Sequence, residues 1–149
     1  MNIRAAPDTI HASAVAVGER GILIRGSSGS GKSALALALI DDPRLDARLI
    51  GDDRLILSDG ENGVVARPPE AIAGLIEVRG VGIVTLPYVA EASIALVVDL
   101  LPAAECPRHP DEAERTTLLL GRPVPRLALP IGANDGPLRV RMALQAWIR

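Results

Sequence analysis

Gly26-Ser27-Ser28-Gly29-Ser30-Gly31-Lys32-Ser33 is the stretch from which the rest of this chain is read. It fits the spacing G-x-x-x-x-G-K-[ST], in which small residues let successive backbone N–H groups converge on phosphate oxygens. The helix expected to follow turns its positive end toward the same anion. In such a loop Lys32 reaches the β- and γ-phosphates, and the Ser33 hydroxyl ligates Mg²⁺. By average residue usage the pattern arises by chance in roughly one chain in a hundred of this length. Its flanks strengthen it. Residues 21–25 (GILIR) are a short apolar run of the kind that forms a buried strand. Residues 32–40 are rich in Ala and Leu and read as a helix, stopped by Asp41-Asp42-Pro43. A flexible Gly/Ser linker does not sit between a strand and a helix. The loop points to a nucleoside triphosphate or another polyphosphate.

Working outward, residues 11–17 read as a strand that pairs with 21–25 across a turn at 18–21. Segments 48–50 and 54–58 read as strands around Gly51-Asp52-Asp53. Residues 59–63 form a hairpin loop into 64–67, and a short helical stretch follows at 70–75. Residues 94–101 (IALVVDLL) are apolar on both faces and are expected at the centre of a sheet. Residues 102–110 read as an exposed loop, 124–131 as a proline-bearing edge strand, and 139–149 as a terminal helix. Many short strands with few helices between them predict an α/β domain: a mixed sheet with one helix after the phosphate loop.

The composition narrows the class. The chain has 149 residues, 48% hydrophobic and 23% charged, which suits one folded domain over its whole length, 1–149. Aromatic residues make up 1% (Tyr88 and Trp147), so the core must be aliphatic. A net charge of −2 gives no electrostatic case for nucleic acid or an anionic membrane. No apolar run reaches the roughly 18 residues of a membrane-spanning helix. The single cysteine, Cys106, excludes an internal disulfide and suits the reducing cytoplasm. Fifteen arginines stand against one lysine, and that lysine is Lys32.

A phosphate loop needs a carboxylate at the end of a neighbouring strand to hold Mg²⁺, usually through water. Asp99 closes one apolar run, and Asp52 with Asp53 closes another. Neighbours in an extended chain face opposite ways, so Asp52 and Asp53 suit different tasks. Pattern alone does not choose between the two sites. His11, fifteen residues before the loop, is by itself an ordinary strand histidine. Glu77-Val78-Arg79-Gly80-Val81-Gly82 reads as a loop or as a flap that touches phosphate or metal.

Together and in this order, these pieces resemble the catalytic domain of bacterial HPr kinase/phosphorylase. The resemblance rests on His11, the loop 26–33, Gly51-Asp52-Asp53-Arg54, Glu77-Val78-Arg79-Gly80-Val81-Gly82-Ile83, and Pro123-Val124-Pro125-Arg126 through Pro130. It runs from about His11 to Trp147. It implies the PEP-carboxykinase-like fold and an ATP-dependent serine kinase acting on the phosphocarrier HPr, with Mg²⁺, in a cytoplasmic homo-oligomer, hexameric in the family. It also implies roles: Lys32 and Ser33 as above, Asp53 as the base for the acceptor serine, Asp52 and Glu77 with Ser33 at the metal, and His11 at the active site. The resemblance removes Asp99 from that set. The family's catalytic arginine corresponds to Arg115 or Arg108, with Arg115 preferred. Many members also run the reverse phosphorolysis. Here Ala34 stands where an acid often follows the loop serine, and Pro130-Ile131-Gly132-Ala133-Asn134 lacks the arginine tied to dephosphorylation. Kinase activity is therefore expected to outweigh phosphorylase activity. The alternatives are an ATP-binding regulatory module with weak transfer and a small-molecule kinase.

Overall fold

The computed structural model describes residues 7–148. Eleven strands and two helices form a curled mixed sheet, a small separate hairpin and a helical layer. β1 (Asp8–Ile10), β2 (Ser13–Val17) and β3 (Arg20–Gly26) precede α1 (Lys32–Asp41). β4 (Ala47–Gly51), β5 (Leu55–Gly60) and β6 (Gly63–Arg67) follow, then the hairpin β7 (Leu75–Val78) and β8 (Gly82–Thr85). β9 (Ala92–Leu101), β10 (Thr116–Leu119), β11 (Arg122–Pro130) and α2 (Gly136–Trp147) complete the order.

The main sheet runs β1-β5-β6-β9-β3-β2-β4, with β11 also on β9 and β10 on β11. β3 and β11 both pair parallel with β9; the other described pairings are antiparallel. The apolar run expected at the centre is β9, and its residues 96–100 are buried. Alternation along β3 and β9 divides the interior in two. Ile22, Ile24, Leu96, Val98 and Leu100 pack against Leu35, Ala36 and Leu39 of α1 and Val140, Ala143 and Leu144 of α2. Leu23 and Val97 face the other way, into a core of Ala12, Ala14, Ala16, Leu55, Leu57, Val64, Ala66 and Val124. That second core carries no helix residue, so the sheet curls over to cover itself.

The structure adjusts several expectations. His11 sits in a bend between β1 and β2, outside the strand expected over 11–17. The helical stretch at 70–75 shrinks to one 3-10 turn, Glu70–Ile72, because Leu75 and Ile76 are drawn into β7. Residues 77–83 are the body and tip of a hairpin. β10 was not foreseen. β11 has one strand partner along each half, β10 over 122–125 and β9 over 126–130, so none of its described residues is paired on both sides.

Candidate active site

β3 ends at Gly26, whose neighbour across the parallel pairing is Leu100. A Cβ at Gly26 would run into Ser30 Oγ and Leu100, so only glycine lets the loop fold back this tightly. Gly31 leads into α1 with φ 102°, a conformation that L side chains rarely adopt. Among the described residues the amides of Gly31, Lys32 and Ser33 meet no backbone acceptor, as expected at a helix start. They are free for an anion. Lys32, almost wholly buried, donates to the carbonyls of Gly26 (2.9 Å) and Ser27 (3.0 Å). Ser30 Oγ is buried with no partner.

The two adjacent carboxylates part company as expected. Asp52 is buried, and its Oδ1 accepts hydrogen bonds from Ser13 Oγ (2.5 Å) and Ser33 Oγ (2.7 Å). Its Oδ2 accepts the backbone N–H of Glu77 (3.3 Å). Asp53 adopts φ 67°, a left-handed conformation that aspartate tolerates better than most residues. That turn swings its side chain out to solvent, where His11 Nε2 lies 2.6 Å from its Oδ1.

A cleft of about 420 Å³ gathers His11, Ser13, Ser28, Gly29, Gly31, Lys32, Ser33, Ala34, Asp53, Glu77 and Arg79. Of the expected site residues, His11, Lys32, Ser33, Asp53 and Glu77 line it, and Asp52 supports its floor through Ser13 and Ser33. Arg115 is not among its lining residues; its guanidinium lies 5.5 Å from the Trp147 ring centre. Arg108 lines a different cavity, with Arg126 and Trp147. The arginine that does reach the cleft is Arg79, carried by the β7–β8 hairpin, and its lone charge beside two glycines was the available signal.

Asp99 is placed elsewhere. It shares the sheet face of Leu23 and Val97, away from α1, and takes Arg25 Nε (2.8 Å), Arg25 Nη2 (2.9 Å) and Arg126 Nε (2.5 Å). Burial pushes its pKa up, but the two arginines together hold it below the ordinary carboxylate value. It is a structural ion pair.

No cluster of three His, Cys, Asp or Glu side chains forms among the described residues. Mg²⁺ keeps waters and uses one or two carboxylates together with substrate phosphates. The oxygen donors of Ser33, Asp52 and Glu77 are of the hard type such an ion takes, and the open amides and Lys32 fit a polyphosphate.

Fold and site together define a phosphate-loop α/β domain. The model of the HPr Serine kinase C-terminal domain matches residues 3–136, and the chain belongs to that family. HPr kinase/phosphorylase of Mycoplasma mycoides subsp. mycoides is 32% identical over 137 residues, covering 83% of this chain and 42% of the relative. The protein of that name from Clostridium acetobutylicum is 39% identical over 103 residues, covering 64% and 33%. The chain thus spans less than half the length of these curated relatives. The solved Hpr(Ser) kinase/phosphatase from Coxiella burnetii superposes with a TM-score of 0.78 at 30% identity, covering 93% of this chain and 88% of that one.

Proposed function

We propose that this chain transfers the γ-phosphoryl group of ATP to a serine of the phosphocarrier protein HPr, with Mg²⁺, in the cytoplasm. The observation that carries this reading is that one cleft holds both a phosphate cradle and an exposed carboxylate. Lys32 and residues of the loop line it together with Asp53, whose Oδ1 lies 2.6 Å from His11 Nε2.

The cation, when bound, supplies positive charge to the phosphates. The remaining work falls to the chain. The amides of Gly31, Lys32 and Ser33 orient the anion, and Lys32 exchanges its two loop carbonyls for phosphate oxygens. Ser33, Asp52 and Glu77 would hold the metal. Asp53 takes the proton of the acceptor hydroxyl, and its exposure suits an acceptor carried on another protein. His11 donates to Asp53 and keeps that carboxylate oriented. Self-association, hexameric as in the resembled family, belongs to the same reading, and exposed Ile131, Leu138 and Met142 offer apolar surface for it.

The test is phosphate incorporation into purified HPr from labelled ATP and Mg²⁺, with Lys32→Ala as control. Incorporation that the control abolishes supports the reading. Nucleotide binding without transfer to HPr overturns it.

A further inference from the structure

Ser13 is fully buried on β2, yet it sits at the floor of the cleft and spends its hydroxyl on Asp52. Its proton and that of Ser33 converge on the same atom, Asp52 Oδ1, at 2.5 and 2.7 Å. A carboxylate oxygen has two lone pairs in its plane, and here two hydroxyls take both. The Ser33 proton is therefore committed inward, and the Ser33 lone pairs are left for the cleft. We infer that Ser13 is a positioning residue for the metal: it locks Asp52 so that Ser33 presents an oxygen, not a proton, to Mg²⁺.

The inference rests on the proposed nucleotide–Mg²⁺ reading and goes beyond it in two ways. It gives a role to a residue outside the phosphate loop and outside the paired carboxylates. It also has Asp52 acting through the Ser33 hydroxyl rather than through a free Oδ1 lone pair. Without Ser13, Oδ1 loses one of two donors and Asp52 can turn about its χ angles. Among the described residues its other oxygen is held only by the longer Glu77 N–H contact at 3.3 Å. Ser33 would then lose the fixed acceptor that points its proton away from the metal. Partners of metal ligands typically change metal affinity by about 10–100-fold when removed.

The experiment measures affinity for a fluorescent ADP analogue in EDTA and across a Mg²⁺ titration, with no turnover involved. Wild type is compared with Ser13→Ala, Ser13→Cys and Asp52→Asn. Ser13→Ala is expected to raise the half-saturating Mg²⁺ about tenfold while leaving affinity in EDTA unchanged. Ser13→Cys, with a weaker donor of similar shape, is expected to fall between. Unchanged affinity in EDTA also reports that each variant is folded. A Ser13→Ala titration that overlays wild type overturns the inference, as does an equal loss in EDTA and in Mg²⁺. If wild type itself shows no Mg²⁺ dependence, the reading of the site falls and the inference with it.

Discussion

His11 Nε2 stands 2.6 Å from Asp53 Oδ1, joining the bend after β1 to the left-handed turn after β4. Forty-two positions separate the two residues in sequence. Since a carboxylate only accepts, the proton in this contact belongs to the imidazole.

This pair leads to the first prediction. Asp53→Asn is expected to lower turnover about 10²–10⁴-fold, the scale of a lost general base, with the Mg²⁺ requirement unchanged. Asp52→Asn is expected to do the reverse in kind, raising the Mg²⁺ needed for half-maximal rate. Initial rates of HPr phosphorylation across Mg²⁺ concentrations separate the two, and an inverted pattern reverses the assignment.

Lys32 offers a second test. In the proposed reaction its charge would answer phosphate charge that grows in the transition state, while the loop amides would supply much of the ground-state cradle. Lys32→Ala should abolish transfer and keep weakened nucleotide binding. Equilibrium titration beside a kinase assay checks both halves, and a rate equal to wild type rejects the assignment.

Asp99 gives the fold a pH signature. Its folded pKa lies below the ordinary 3.8, because Arg25 and Arg126 outweigh the cost of burial. A depressed carboxylate stabilises the fold above its unfolded pKa, and that stability is lost as pH falls through the folded value. Asp99→Asn should cost about 2 kcal/mol at pH 7, the scale of a charged hydrogen bond. The gap from wild type should narrow toward pH 3. Urea denaturation at several pH values checks this, and a gap constant with pH counts against it.

The reverse reaction is expected to be slow. Residues 130–135 follow β11 at the sheet end where the phosphate loop follows β3, since both strands run parallel to β9. No arginine stands in that segment, and the two nearby are engaged: Arg126 on Asp99 and Arg139 on Asp135. Two anions about 4 Å apart repel by roughly 4 kcal/mol at an effective dielectric near 20. With serine-phosphorylated HPr, Mg²⁺ and millimolar phosphate, pyrophosphate release should lag well behind the forward rate. Ala133→Arg should raise release and leave the forward rate nearly unchanged. Release as fast as phosphorylation contradicts the bias.

The parts of the molecule governed by local rules were legible in advance. The phosphate loop, the strand before it and the helix after it follow from glycine placement, apolar runs and the proline at 43. The central position of β9 follows from its long apolar run, interrupted only at Asp99 within residues 94–101. The different facings of Asp52 and Asp53 were expected from an extended chain, but they arise past the end of β4, from the left-handed turn at Asp53. Features set by distant partners were not legible. β10 is four residues long and exists because β11 offers it an edge. Arg115 has no local pattern that separates a catalytic arginine from one resting on Trp147. Ser13 looked like any small strand residue until the fold brought Asp52 against it.

The strand that carries the phosphate loop owes its place to a pairing with β9, in which Arg25 meets Asp99 74 positions later. During synthesis the loop precedes β9, so its supporting strand stays half-paired until residue 101 has left the ribosome. Contacts of such long reach form slowly, because loop closure must precede any gain from pairing. A nascent chain stopped before β9 has the whole loop sequence but lacks the parallel neighbour that borders its supporting strand. The phosphate loop gains its full support only when β9, Ala92–Leu101, is available to pair.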